Sequence, residues 1–186
     1  MAIEKIYRHV TGVDSTGKSV FISSGELEPD EVFFQPGTKF WRLWGTDTDG
    51  PVIDGDSNMA PFFPEFHGTR FSLVGFPPHS LARATESQVH SPEELEALRR
   101  EADERLPGLF DAHATDGGTS LFHATETVDY GIVLDGEIHL ELDDGQEVVV
   151  TPGHCIVQRG TRHQWINKSD QPALMAFIVM GARRSR

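Results

Sequence analysis

The sequence is poor in cysteine, in positive charge and in long apolar runs, and each shortage narrows what the chain is. Among 186 residues there is one cysteine, Cys155. No disulfide can close within the chain, so a disulfide-stapled scaffold is excluded, and a reducing cytoplasmic location is expected. Cys155 lies in an apolar run and reads as a small core residue. Lys and Arg number 16 against 29 Asp and Glu, a net charge of −13. Such a surface repels phosphate backbones and anionic lipid, so neither nucleic acid nor a membrane is an expected partner. The basic end Arg183-Arg184-Ser185-Arg186 reads as solvated chain terminus. No apolar stretch approaches the roughly 20 residues of a spanning helix, and the start MAIEKIYRHV carries no apolar leader. Strand–helix alternation, a Gly-rich phosphate loop and a helix-turn-helix pattern are also missing.

What is present is mostly β structure cut by turns. Lys18 to Ser23 follows the turn Asp14-Ser15-Thr16-Gly17, Lys39 to Trp44 follows Pro36-Gly37, and Thr69 to Gly75 ends at Pro77-Pro78. Asp47 to Asn58 reads as a loop. Ser91-Pro92-Glu93-Glu94 supplies a helix cap, a proline at the first helical position and a glutamate at the third. Leu95, Leu98, Ala102 and Leu106 then share one face before the stop Pro107-Gly108, giving one short amphipathic helix. Beyond Thr119 the strands become regular: Val128 to Leu134, Glu137 to Leu142, Glu147 to Thr151, Cys155 to Arg159, His163 to Asn167, and Ala173 to Met180. Many short strands at this spacing indicate a sandwich or jelly roll.

Three potential metal ligands recur in the regular part: His123, Asp129 and His163. Six residues of straight strand would hold His123 and Asp129 roughly 20 Å apart. They share a site only if the chain reverses between them, and Thr125-Glu126-Thr127 is the place inferred for that. Glu126 is an odd-step neighbour of His123 and is expected to point away from it. His139 lies opposite Ile138 and Leu140 and is expected to face solvent. His9, His67, His79, His90, His113 and His154 show no ligand spacing among themselves and read as surface or loop residues.

Gly117, His123, Thr125, Asp129 and Gly136, followed by Pro152-Gly153, Gly160, His163 and Asn167, resemble the two sequence motifs of the cupin superfamily. The resemblance covers about Asp116 to Gly181. It implies a mainly β fold, a double-stranded β-helix or jelly-roll barrel. It also implies metal ligands at His123, Asp129 and His163. Thr125 stands where the first motif has its second histidine, and Asp129 where it usually has the longer glutamate. Two imidazoles and a carboxylate leave coordination positions open, as in non-haem Fe(II) oxygenases, although Zn, Mn or Ni suit the same donors. The other reading is a pocket in which His123 and His163 are only hydrogen-bonded side chains.

The expected organisation is an N-terminal β extension over 1–90, the amphipathic helix over 91–108 and the barrel core over 109–182. The extension, with Phe40, Trp41, Leu43 and Trp44, must bury its aromatic side chains, either by extending the barrel sheet or across a homodimer. The helix covers the barrel mouth or packs outside. Thr125, Tyr130, Gln158 and Trp165 are the expected pocket residues, and an aromatic wall favours an apolar or aromatic substrate. Asn167 reads as a structural residue. No proton-transfer residue is named. The expected function is a metal-dependent enzyme on a small organic substrate, aromatic or dicarbonyl, with one divalent ion per chain and Fe(II) favoured. A dioxygenase-type oxidoreductase leads. An isomerase, decarboxylase or lyase, and a non-catalytic binding protein, are the alternatives.

Overall fold

A computed structural model describes residues 5–47, 49–82, 91–115 and 118–185. His90, Gly117 and Arg186 lie outside the described residues. Strands β1 (Ile6–Val13), β2 (Ser19–Leu27), β3 (Lys39–Thr46) and β4 (Thr69–Phe76) come first. Helices α1 (His79–Ala82), α2 (Pro92–Arg105) and α3 (Leu109–His113) follow, then the short pair β5 (Ala114–Thr115) and β6 (Gly118–Thr119). The regular part holds β7 (Thr127–Asp135), β8 (Ile138–Leu142), β9 (Glu147–Val150), β10 (Cys155–Arg159), β11 (His163–Ile166) and β12 (Ala173–Gly181).

Two antiparallel sheets carry the fold. The larger has the order β10-β7-β12-β4-β3, and the smaller β11-β8-β9. Their inner faces meet through Val133 and Met175 from the larger sheet and Ile138 and Val150 from the smaller. Met175 and Ile138 are fully buried, and each such side chain contributes about 1.5–3 kcal/mol of hydrophobic stabilisation. Alternation along β7 is strict: Thr127, Asp129, Gly131 and Val133 are buried, while Tyr130, Ile132 and Leu134 are exposed. The β7–β8 turn needs Gly136, at φ 76°, where an added Cβ would meet the Pro172 carbonyl oxygen at 2.6 Å. This is the jelly-roll architecture the resemblance implies.

Of the two placements left open for the N-terminal strands, β3 and β4 extend the sheet. β4 pairs with β12 along eight residues, from Ala173 opposite Phe76 to Met180 opposite Thr69. β1 and β2 form a separate hairpin, whose turn is closed by the Asp14 carboxylate accepting from the Thr16 and Lys18 amides. Ile6 and Leu27 pack it against Trp41, Leu73, Leu174 and Ala176.

Helix α2 forms where its signals lie. Ser91 and Glu94 make both halves of the capping box. Ala102 and Leu106 are fully buried, and Leu95 and Leu98 pack beside them. Their partners include Phe40 of β3 and Val74 of β4, whose side chains also line the cavity between the sheets. The helical layer therefore lies against the cavity end of the larger sheet. The expectation of a single helix is corrected by α3, five residues started by Gly108 at φ 84°. The Pro107-Gly108 pair read as a stop is a corner between two helices. Cys155 is also corrected: it is exposed on β10, with Gln158 among the inward residues of that strand.

Candidate active site

His123 and His163 are brought together by the backbone. The two residues form an antiparallel bridge and exchange both N–H to C=O bonds, each 2.9 Å. A pair of that kind projects its side chains to one side. The ring centroids lie 4.5 Å apart. Asp129 comes from the opposite sheet, where it pairs with Gln158 of β10. Between positions 123 and 129 the chain thus passes from the smaller sheet to the larger, around the segment inferred from the sequence. Glu126 points outward there and pairs with Arg184.

A third imidazole joins the pair. His113, the last residue of α3, is buried, and its ring centroid lies 4.3 Å from that of His123. The sequence reading placed it among surface or loop histidines, and burial at 6% exposure corrects that. All three rings are oriented alike. Nδ1 of His113 donates to the Ser120 carbonyl, Nδ1 of His123 to Leu121, and Nδ1 of His163 to Thr161, at 2.8, 3.0 and 2.9 Å. A carbonyl only accepts, so each neutral ring carries its proton on Nδ1 and leaves the Nε2 lone pair free.

Burial sets the charge state of the cluster. Desolvation pushes His113 down to about 3 and His163 to about 4, with neighbouring imidazoles adding to the effect. It lowers His123 as well. The rings are therefore neutral at physiological pH, the form in which imidazole binds a metal. Asp129 is 7% exposed, and burial pushes its carboxyl up to about 6 despite a hydrogen bond from Thr127. Oδ1 of Asp129 is buried without a hydrogen-bond partner among the described residues.

The four residues line one open cavity, a concave and mostly apolar place of the kind that takes a small organic ligand. Its walls are rich in aromatic side chains, among them Phe40, Phe62, Phe63, Phe76, Trp165 and Phe177. Phe63 stands 5.9 Å from the His123 ring, and Trp165 6.0 Å from that of His163. No lysine or arginine lines it among the described residues.

The other sequence-expected pocket residues are placed differently. Trp165 lines the cavity, two residues from His163 on the same strand. Tyr130 is 46% exposed, because it follows Asp129 on a strand that alternates; it faces outward, which corrects its placement in the pocket. Thr125 and Gln158 are not in the cavity wall and act one layer behind it. The Thr125 hydroxyl lies 2.6 Å from that of Thr127, which bonds Asp129. Gln158 donates its side-chain N–H to the Thr161 carbonyl at 3.1 Å and to the Thr161 hydroxyl. That same carbonyl holds His163. Asn167, buried at 2% exposure, ties the turn after β11 through Gln171 and Ser169. Thr127 and His113 escaped the sequence reading. The even step from Thr127 to Asp129 was a usable signal; nothing in the spacing marked His113.

The donors suit a divalent metal chemically: three neutral imidazoles with free Nε2 atoms and an unpaired buried carboxylate oxygen. Two Nε2 ligands at about 2.1 Å, with ring centres roughly 1.1 Å further on, put centroids about 4.5–5 Å apart at adjacent coordination positions. Both neighbouring ring pairs are near that spacing. Among the described residues, no group of three or more His, Cys, Asp or Glu side chains is arranged as it stands to hold a metal ion. The fit therefore lies in the chemistry of the donors and in their pairwise spacing.

A jelly roll with imidazoles and an acid buried between its sheets defines a class, and sequence comparison agrees with it. A cupin-domain family model matches residues 110–179. The chain is 44% identical over 190 residues to the cupin-domain-containing oxidoreductase virC of Hypocrea virens, covering 97% of this chain and 78% of that one. It is 26% identical over 181 residues to the cupin-domain-containing oxidoreductase fogC of Aspergillus ruber, covering 96% and 73%. With phomopsin biosynthesis cluster protein C' of Diaporthe leptostromiformis it is 48% identical over 68 residues, 36% of each chain. The match thus spans about a third of that relative's length. This chain belongs to the cupin-domain family. Among the described residues no helix is long and apolar enough to cross a membrane.

Proposed function

We propose that this cupin is an oxidoreductase acting on a small organic molecule, aromatic or dicarbonyl in character, with one divalent metal ion per chain. Fe(II) is favoured over Zn, Mn or Ni. One observation carries the reading: neutral imidazoles and a buried acid line the same cavity, whose walls are aromatic and which lacks lysine and arginine among its described residues. His123, His163 and Asp129 would hold the metal. Bound there, it would act as a Lewis acid and, as Fe(II), as a site for O₂ chemistry. The names of virC and fogC as oxidoreductases support that class.

The protein's own residues do the rest. Phe62, Phe63, Trp165 and Phe177 receive a flat apolar body and exclude water. With no lysine or arginine in the described wall, the bound metal ion would be the one cation open to a polar or anionic group of the ligand, and the rest of the wall receives uncharged surface. Three backbone carbonyls fix the tautomer of the rings. The Thr125–Thr127 pair fixes one side of the Asp129 carboxylate.

The test is O₂ uptake by anaerobically iron-loaded protein across neutral phenols, aromatic carbonyls and 1,3-diketones. Uptake is expected with at least one compound class, with loss in His163→Ala. No uptake with any compound, or uptake unchanged in His163→Ala, contradicts the reading. The homodimer and the cytoplasmic location expected from the sequence belong to the same proposal. Val13, Phe21 and Ile22, exposed on the β1–β2 hairpin, support the dimer, and a monomer by light scattering would remove it.

A further inference from the structure

His113 lies outside both cupin motifs, on a five-residue helix before the barrel strands. Its surroundings separate it from a packing residue. The Phe34 ring stands 5.9 Å away and that of His123 4.3 Å away, and Phe34 also packs edge-on against Phe110. Leucine or phenylalanine would satisfy such a place without a ring nitrogen to accommodate. The ring lines the cavity. Its Nδ1 is fixed on the Ser120 carbonyl at 2.8 Å, and Nε2 has no hydrogen-bond partner among the described residues. That is the arrangement of a metal-binding histidine, with one nitrogen oriented by a backbone acceptor and the other left as a donor pair.

The first motif, meanwhile, lacks an imidazole. Thr125 stands in its place, and the hydroxyl bonds to Thr127 rather than lining the cavity. His113 and His163 both have ring contacts with His123, at 4.3 and 4.5 Å. We propose that His113 supplies the third imidazole of the metal site, taking over from outside the motifs the part that Thr125 does not play. The inference rests on the metal-binding reading above and goes beyond it in naming the ligand. In chemical terms it makes the site a three-imidazole, one-carboxylate set, with the third ring carried by the helical layer instead of a barrel strand.

Two measurements test it. Metal-free wild type, His113→Gln and His123→Gln are titrated anaerobically with Co(II), and the visible d–d bands are recorded. His113→Gln is expected to weaken binding at least about 100-fold, beyond the roughly 10–100-fold that loss of an outer supporting group costs, and to change the band pattern. Unaltered affinity and bands in His113→Gln, with binding lost in His123→Gln, would overturn the assignment of His113 and leave the metal site standing. A wild type that binds no Co(II) would overturn both. The second measurement needs no variant: histidine side-chain ¹⁵N spectra of the wild-type protein titrated with Zn(II). Nε2 resonances of three rings moving together support the proposal. Two rings moving, with His113 unmoved, would refute it even if His113→Gln fails to fold.

Discussion

Acidifying the metal-free protein is expected to cost it stability through the imidazole cluster. Burial holds His113 down to about 3 and His163 to about 4, against 6.5 for the unperturbed ring. Between those values the unfolded chain binds protons that the folded chain cannot, so stability falls as the pH falls below about 6.5. Each such proton is worth roughly 1.4 kcal/mol per pH unit, and the two rings together remove about 7 kcal/mol by about pH 4. Asp129 works in the opposite sense. Its folded carboxyl is pushed up to about 6 from 3.8, so in that window the folded chain takes a proton that the unfolded chain does not. This returns about 3 kcal/mol by about pH 4. The net loss is about 4 kcal/mol, a large share of a domain's typical 5–15 kcal/mol. Urea unfolding followed by tryptophan fluorescence, in the presence of a chelator, measures it directly. His163→Gln isolates one ring and should flatten the pH dependence by roughly 1.4 kcal/mol per pH unit. Equal slopes for wild type and His163→Gln would refute the neutral buried ring on which this rests.

Other perturbations test the scaffold and the layer behind the site. Leu106→Ala, at a fully buried position, should cost about 2–5 kcal/mol in denaturant unfolding; a much smaller loss would mean that α2 is not packed as described. Ser91→Ala removes the side-chain half of the capping box and should cost about 1 kcal/mol, with faster amide exchange confined to the first turn of α2. Gln158→Leu frees the Thr161 carbonyl that holds His163, and should weaken Co(II) binding roughly 10–100-fold with the fold retained. Unchanged affinity would show that the carbonyl is positioned without Gln158.

The sequence carried the local features well, for physical reasons. The α2 signals are complete within Ser91 to Leu106, and the helix follows them. β7 and β10 alternate between inward and outward residues, and turns that hold Asp, Gly or Pro bound the strands from β7 onward, so their positions fall within a residue or two of those expected. Alternation also shows why Tyr130 was misplaced: next to Asp129 in sequence, it sits on the opposite face of β7. The pairing of β4 with β12 depends on contacts about a hundred residues apart, which periodicity cannot supply. His113 was invisible for a similar reason. Its neighbours His123 and His163 come from other elements, and a five-residue helix has too few turns to show a period. Cys155 was drawn inward by its apolar neighbours, whereas β10 places it among exposed positions beside Gln158's inward face.

The proposed metal centre between the two sheets has His123 and His163 at its core. Anomalous diffraction at the cobalt edge from Co(II)-soaked crystals addresses it most directly. A single strong peak is expected within bonding distance of Nε2 of His123 and of His163, inside the aromatic cavity. A cavity without a peak, or cobalt found only on surface carboxylates, would contradict it.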